Sequence, residues 1–172
     1  MRSTLVALAA SLLLGACSPA LNWREVRPAD SAAQLLFPCK PSSHARDVDL
    51  AGQRTPVTLY ACEAADMTFA VAFAALEDPS RVSPALQDWR RAAQDNLGAS
   101  QVRPVDFKVP GQTPNPQSSL LHIQGRRPDG SSLSSQVLLA VKGTQVFQVT
   151  VLGSSLDPQA AETFMQSVRL LP

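Results

Sequence analysis

The sequence contains no run of like charge, few aromatic residues and almost no histidine. Among its 172 residues, fifteen Lys and Arg balance fourteen Asp and Glu, aromatic residues make up 5%, and histidine occurs twice. A nearly neutral chain without a basic stretch argues against a nucleic-acid partner and against electrostatic attachment to a membrane surface.

Motifs that carry catalysis or hold cofactors are also missing from the sequence. It has no Gly-x-Ser-x-Gly turn, no glycine-rich phosphate loop, no Cys-x-x-Cys pair and no helix with paired carboxylates on one face. The sequence therefore predicts no catalytic residue, no cofactor and no metal ligand.

A long hydrophobic run occurs only at the start of the chain. Arg2 precedes an apolar run from Leu5 to Leu14, which is shorter than the roughly 20 residues of a membrane-spanning helix. This pattern predicts a secretion signal over residues 1–16. The run ends in Leu14-Gly15-Ala16-Cys17, which resembles the bacterial lipobox. That resemblance implies cleavage before Cys17, a diacylglycerol on its thiol and a fatty acyl chain such as palmitate on its new amino group.

The predicted anchor places the rest of the chain in the cell envelope. Ser18 stands where Asp would resemble the inner-membrane retention signal of Gram-negative lipoproteins, so we expect the periplasmic leaflet of the outer membrane. Residues 17–22 form a short tether, of which Ser18 to Asn22 reach about 17 Å when extended. Residues 23–172 suffice for a single domain with one core, and no segment after the signal is apolar enough to span a membrane.

Two further cysteines, Cys39 and Cys62, form an even pair in a chain that is predicted to be exported. In an oxidising compartment such a pair favours a disulfide over free thiols or metal ligands. The bridge would close a loop of about 24 residues and stabilise the fold by about 3 kcal/mol in the chain-entropy account. We expect its role to be structural.

Alternating apolar residues predict an antiparallel sheet of about six or seven strands. The first hairpin has strands at Arg46–Leu50 and Thr55–Glu63, and a third strand follows at Met67–Leu76. In the third strand large residues alternate with alanine, which predicts that the main core and the helices lie on the large-residue face. Further strands are predicted at Val102–Phe107, Ser119–Arg126, Leu133–Lys142 and Thr144–Leu152.

Two principal helices are predicted from their caps and apolar stripes. The first, Ala85–Leu97, follows a Ser83 N-cap and stops before Gly98. The second begins after an Asp157 N-cap and carries an apolar stripe of Ala161, Phe164, Met165 and Val168. Strands and helices together predict an α+β domain in which the two helices pack on the sheet.

The order of these segments resembles bacterial envelope lipoproteins of the PsbP/Mog-like superfamily. The resemblance rests on Phe37–Pro41, on the hairpin centred at Gly52, on the middle helix, and on Gly143–Leu152 followed by Ala161–Val168. It implies an antiparallel sheet with helices on its faces. The superfamily includes a photosystem accessory subunit, a Ran-binding protein and lipoproteins of unknown role, so the resemblance transfers no functional residue.

The two histidines are the candidates for chemistry. His44 lies beside Arg46 and two aspartates, a spacing that matches no metal motif and favours the solvated start of a strand. His122 points to the side of its predicted strand opposite its apolar neighbours. This favours a place on the less apolar face of the sheet over a role as a ligand.

Other candidates lie on the predicted surface. The proline-rich segment Val109–Gln117 is expected to be an exposed loop and is the best candidate for partner contact, although a simple connection is favoured over that role. Packing of Trp23 on the sheet is favoured over contact with lipid headgroups. The pairs Arg90-Arg91 and Arg126-Arg127 indicate a solvated helix face and a turn, respectively, rather than binding patches.

We therefore expect a membrane-anchored periplasmic lipoprotein that is a non-enzymatic binding or assembly accessory of the envelope. Its contacts would be the membrane, through the lipid on Cys17, and an envelope protein. The alternative is a small-ligand-binding protein or a hydrolase whose site is not visible in the sequence. A pocket that converges on His44 or His122 and contains carboxylates with perturbed pKa values would favour that alternative.

Overall fold

A computed structural model describes residues 21–172, so the predicted signal peptide, Cys17 and most of the tether lie outside the described residues. The strands are β1 (Arg24–Val26), β2 (Ala33–Phe37), β3 (Ser42–Leu50), β4 (Gln53–Ala64), β5 (Met67–Ala75), β6 (Gln101–Val105), β7 (Ser119–Arg126), β8 (Ser132–Lys142), β9 (Gln145–Gly153) and β10 (Arg169–Leu170). The helices are α1 (Val82–Asn96) and α2 (Pro158–Gln166). The predicted α+β class is confirmed.

Seven of the strands form one antiparallel sheet in the spatial order β3-β4-β5-β9-β8-β7-β6. The predicted hairpins are confirmed. Between β3 and β4 the turn residues Ala51 and Gly52 have φ of 50° and 74°, the left-handed values that a tight two-residue hairpin requires. Within residues 21–172 no helix is long and apolar enough to cross a membrane.

The large-residue face of the sheet is covered by α2 and by a small second sheet. Phe69 of β5 packs edge-on against Phe164 of α2, with ring centroids 5.2 Å apart. The other large residues of β5 lie in the same core, namely Met67, Val71 and Phe73. This part of the predicted packing is confirmed.

The first helix lies on the other face, where the sequence pattern of β5 alone predicted no helix. Leu86 and Trp89 of α1 share a second core with Leu121 of β7 and Leu139 of β8. The prediction is wrong for α1 because β7 and β8 supply large side chains on the face where β5 supplies alanine. Each face of the sheet therefore carries one helix.

The two helix starts differ in how well they were predicted. Asp78 caps a short 3-10 turn, Pro79–Arg81, by accepting a hydrogen bond of 2.8 Å from the Ser80 N–H, and α1 continues from Val82. Ser83 is therefore not the N-cap, because the helix has already begun. In α2 the predicted cap is confirmed, since the Asp157 carboxylate accepts from the Ala160 N–H at 2.7 Å.

A small sheet in the order β1-β2-β10 was not predicted. Its strands have three, five and two residues, too short for a clear alternation. Cys39, two residues after β2, forms a disulfide with Cys62 of β4, with a Cα–Cα distance of 6.0 Å. The predicted bridge is confirmed, and it joins the small sheet covalently to the large one.

Candidate functional site

A groove lies between α1 and the β3–β4 hairpin, on the face of the sheet that α1 covers only in part. Its volume is about 630 Å³, within the range of about 300–1,000 Å³ that is usual for ligand pockets. We call it the α1 groove. The side chains of His44, Arg46 and Val48 form its outer wall on β3, and Trp89 and Ala93 belong to its helical wall.

The floor of the α1 groove is made by three neighbouring strands. Leu59 of β4 lies opposite Ala72 of β5, which lies opposite Gln148 of β9. Because Ala72 is small, the floor is low between its neighbours. Leu59 is 37% exposed, one of two large hydrophobic residues in the described part of the chain that are exposed to this extent. The groove therefore offers apolar surface to solvent.

Hydrogen bonds fix the two elements that enclose the α1 groove. The Arg81 guanidinium, just before α1, donates to the Leu50 oxygen at 2.6 Å and to the Thr55 hydroxyl at 3.0 Å. The Asp88 carboxylate of α1 accepts from the Ala51 N–H in the hairpin turn at 2.8 Å. The hairpin and the helix thus hold each other in place.

Among the described residues, some charged groups around the α1 groove have an ion-pair partner and others do not. Asp88 is paired with Arg91 on its own helix as well as with the turn. His44 and Arg46 are exposed on the outer wall, and neither forms an ion pair within residues 21–172. Within the described residues, the charged groups at that wall without an ion pair therefore include the Arg46 guanidinium and the exposed Asp49 carboxylate, which also borders the groove.

The second histidine lies on the opposite face of the sheet. Arg103 of β6 is the register partner of His122, and its guanidinium donates to Nδ1 at 3.0 Å, since a guanidinium has no acceptor. Burial, and secondly the positive charge of Arg103, lower the pKa of His122. Because the sheet separates them, His44 and His122 do not form one site.

Within the described residues no three His, Cys, Asp or Glu side chains cluster as a metal site would require.

The proline-rich segment Val109–Gln117 is less free than the sequence predicted. Val109 is buried, and the Thr113 N–H donates to the Val141 oxygen at 2.7 Å. Asn115 donates to the Ser83 hydroxyl at 3.1 Å. The expectation of an exposed loop is therefore correct only for part of the segment, because these bonds fix it to β8 and α1. A role in partner contact stays a prediction.

The predicted basic pairs have structural partners. Arg90 is not a fully solvated residue, because it donates to the Ser119 hydroxyl at 2.7 Å and so joins α1 to β7. Arg126 and Arg127 bond to groups of the turn that they flank, as expected.

Trp23 lies on the sheet, as the favoured interpretation expected. Its ring packs edge-on against Phe69, with centroids 6.2 Å apart. Leu21 and Trp23 also border a second groove of about 400 Å³ beside the start of α2. The described chain therefore begins on the α2 side of the sheet, and the α1 groove opens on the other side.

Reasoning from the sequence identified only the outer wall of the α1 groove, through His44. It missed Leu59 because a leucine in an alternating strand predicts a buried residue. It missed Arg81 and Asp88 because their hydrogen-bond partners in the β3–β4 hairpin, Leu50 and Ala51, are 31 and 37 residues away along the chain. Compared with protein-family models and with curated proteins, the chain matches none of them.

Proposed function

We propose that the chain is a membrane-anchored periplasmic lipoprotein of a Gram-negative envelope that binds a protein partner through the α1 groove. In this proposal Cys17 carries the lipid, and the domain is a non-enzymatic binding or assembly accessory. The observation that carries the proposal is the position of the α1 groove on the sheet face opposite the N-terminal segment.

The tether determines which side of the domain is near the membrane. Leu21 and Trp23 lie beside α2, and residues 17–22 reach only about 20 Å even when fully extended. The α2 side then lies against the lipid surface. A partner in the periplasm can reach the α1 groove without displacing the anchor.

The character of the α1 groove supports binding. Its floor exposes Leu59 and part of Ala72, and its outer wall carries Arg46 without an ion-pair partner among residues 21–172. Exposed apolar surface with a polar rim is typical of protein interaction sites. Asp88, the carboxylate on the helical wall, is already bonded to the turn and to Arg91.

We also propose that the domain has the PsbP/Mog-like fold. Support comes from one antiparallel sheet with a helix on each face. Further support is that β9 and α2 overlap Gly143–Leu152 and Ala161–Val168, two of the segments on which the resemblance in the sequence rests.

Photocrosslinking in cells tests the proposed function. A photoreactive residue is placed at Leu59 or at Ala92, which border the α1 groove, and as a control at Gln101 on the far edge of the sheet. We expect both groove positions to capture the same envelope protein and Gln101 to capture none of it. Capture of no specific protein from either groove position, or equal capture from Gln101, would contradict the proposal.

A small-ligand-binding protein is the second candidate, and the groove volume favours it. Native mass spectrometry of the purified domain distinguishes the two. If the domain retains a small molecule that is lost in Leu59→Asp but kept in Gln101→Ala, the α1 groove binds a small ligand and the proposal of a protein partner is wrong.

A further inference from the structure

The outer edge of β3 borders the α1 groove and has no neighbour in the described structure. β3 is the terminal strand of the seven-stranded sheet and has nine residues. Within residues 21–172 no backbone hydrogen bond reaches the outer side of the strand between Ser43 and Asp49. Such an edge can pair with any extended chain that fits it.

A proline in β4 shows which backbone groups of β3 point outward. Directly opposite residues of an antiparallel pair alternate between hydrogen-bonded and non-hydrogen-bonded positions. Pro56 is opposite Asp47 and has no N–H to donate, so this pair is a non-hydrogen-bonded one. The N–H and C=O of Asp47 therefore point away from β4.

The hairpin turn independently shows the same alternation of β3 residues between those that bond to β4 and those that point outward. A two-residue turn is closed by a hydrogen-bonded pair, here Leu50 and Gln53. By alternation the even-numbered residues of β3 bond to β4. The outward groups belong to Ser43, Ala45, Asp47 and Asp49.

The charges of β3 differ between the two faces of the sheet. Leu50 is buried beneath α1, so the even-numbered His44 and Arg46 project on the α1 side, and Asp47 projects on the other side. The side chains of all three are exposed. A complementary strand would place an acidic residue opposite Arg46 and a basic residue, its immediate neighbour, opposite Asp47.

A second copy of this chain does not meet that requirement. If two copies paired their β3 edges antiparallel about a two-fold axis, both α1 grooves would lie on the same side of the joint sheet. The register that pairs all nine residues would then place Arg46 of one copy opposite Arg46 of the other. Shifts toward the turn place Asp47 opposite Asp47 or opposite Asp49. The shift in the other direction pairs Arg46 with His44 and leaves both aspartates without a cation. Like charges directly opposite destabilise strand pairing.

We propose that β3 accepts an extended segment of a different envelope protein as an eighth strand, with an acidic residue opposite Arg46 and a basic residue opposite Asp47. This inference rests on the proposed function and specifies how the partner binds. Backbone hydrogen bonds to Ala45 and Asp47 hold the segment, as in other cases of strand addition. The charges on the two faces select its sequence and register.

The test uses the full anchored chain in cells, with a photoreactive residue at Ser43 on the free edge. Ala45→Pro removes an outward N–H without removing a bond to β4, whereas Ala45→Thr keeps that N–H. We expect Ala45→Pro to reduce the crosslinked product at least about fivefold and Ala45→Thr to leave it unchanged. Arg46→Glu should reduce the product in the same way, while Arg46→Lys keeps most of it.

Measurements on each variant separate failure to bind from failure to fold. The melting temperature of Ala45→Pro is compared with that of His44→Pro, which removes a bond to β4 and should be lower. If Ala45→Pro unfolds, Arg46→Glu, which alters only an exposed side chain, decides the question.

Two negative outcomes have different meanings. If the products from Ser43 and Leu59 both form and survive Ala45→Pro and Arg46→Glu, strand addition is overturned while the proposed function stands. If neither Ser43 nor Leu59 captures a specific protein in the parent chain, the proposed function fails, and strand addition with it.

Discussion

The guanidinium of Arg81 donates a hydrogen bond of 2.6 Å to the main-chain oxygen of Leu50, the last residue of β3. A second bond from the same nitrogen reaches the buried hydroxyl of Thr55 at 3.0 Å. Arg81 thus ties the β3–β4 turn to the start of α1. The two sides of the α1 groove are held at a fixed separation by this residue and by Asp88.

Replacing Arg81 by alanine should destabilise the protein. The change leaves the Leu50 oxygen and the Thr55 hydroxyl without their charged donor, which costs about 1.5–3 kcal/mol of unfolding free energy. Urea unfolding measures the loss. Arg91→Ala, which removes an exposed ion pair, is the control and should change the unfolding free energy by less than about 1 kcal/mol. Equal losses in the two variants would show that Arg81 has no special role.

Loss of the disulfide should lower stability without changing the fold. Cys39 and Cys62 are separated by 23 positions, and opening the loop costs about 3 kcal/mol in the chain-entropy account. The double variant Cys39→Ser, Cys62→Ser should therefore unfold at lower denaturant than the oxidised parent. A reductant should shift the parent to the same midpoint, and it should leave the variant unaffected. A parent that is unaffected by the reductant would contradict this account.

Gly125 should not tolerate a side chain. A Cβ at this position in β7 would lie 1.9 Å from the oxygen of Leu97 and 2.9 Å from its carbonyl carbon, at the end of α1. Gly125→Ala must therefore move α1 away from the sheet, at a cost of about 1–3 kcal/mol. Thermal unfolding measures this against Gln124→Ala, an exposed neighbour that should change little. A melting temperature equal to that of the parent would refute the close approach.

Protonation of His122 should destabilise the folded state. Burial, and secondly Arg103, lower its pKa below the ordinary 6.5. As pH falls, the unfolded chain takes up the proton first, so this residue's contribution to stability is complete above pH 6.5. It is lost as pH falls from 6.5 toward the lowered pKa. NMR titration should show the lowered pKa of His122 in the parent. In Arg103→Gln the pKa of His122 should rise, because the positive charge beside it is removed. A pKa at or above 6.5 in the parent would contradict it.

Local sequence features predicted the strands and turns well because each has a short-range cause. Ser119–Arg126 was predicted with the same bounds as β7, since alternation and the following Pro-Asp-Gly turn define it. The final helix was predicted because Asp157 caps it and its apolar stripe is regular, but Val168 of that predicted stripe lies beyond α2, which ends at Gln166. The disulfide was predicted from the even number of cysteines after Cys17 and from the predicted export of the chain.

Features that depend on distant segments were not predicted. The position of α1 is set by large residues of β7 and β8, which lie far along the chain from the alanines of β5. The start of α1 was misplaced because Asp78, with Pro79, competes with Ser83 as a cap. The α1 groove arises where α1 leaves part of the sheet uncovered. The residue pattern of a single segment cannot predict such a gap between elements.

The orientation of the domain in the proposed anchored protein tests the account most directly. Acylated protein is bound to vesicles that contain lipids with a quencher on the headgroup, and a fluorophore is attached at Gln159→Cys beside Trp23 or at Leu59→Cys in the α1 groove. We predict strong quenching at position 159 and little at position 59, because the proposed short tether would keep the α2 side at the membrane. Equal quenching, or stronger quenching at position 59, would contradict the claim that the groove faces away from the membrane toward a partner.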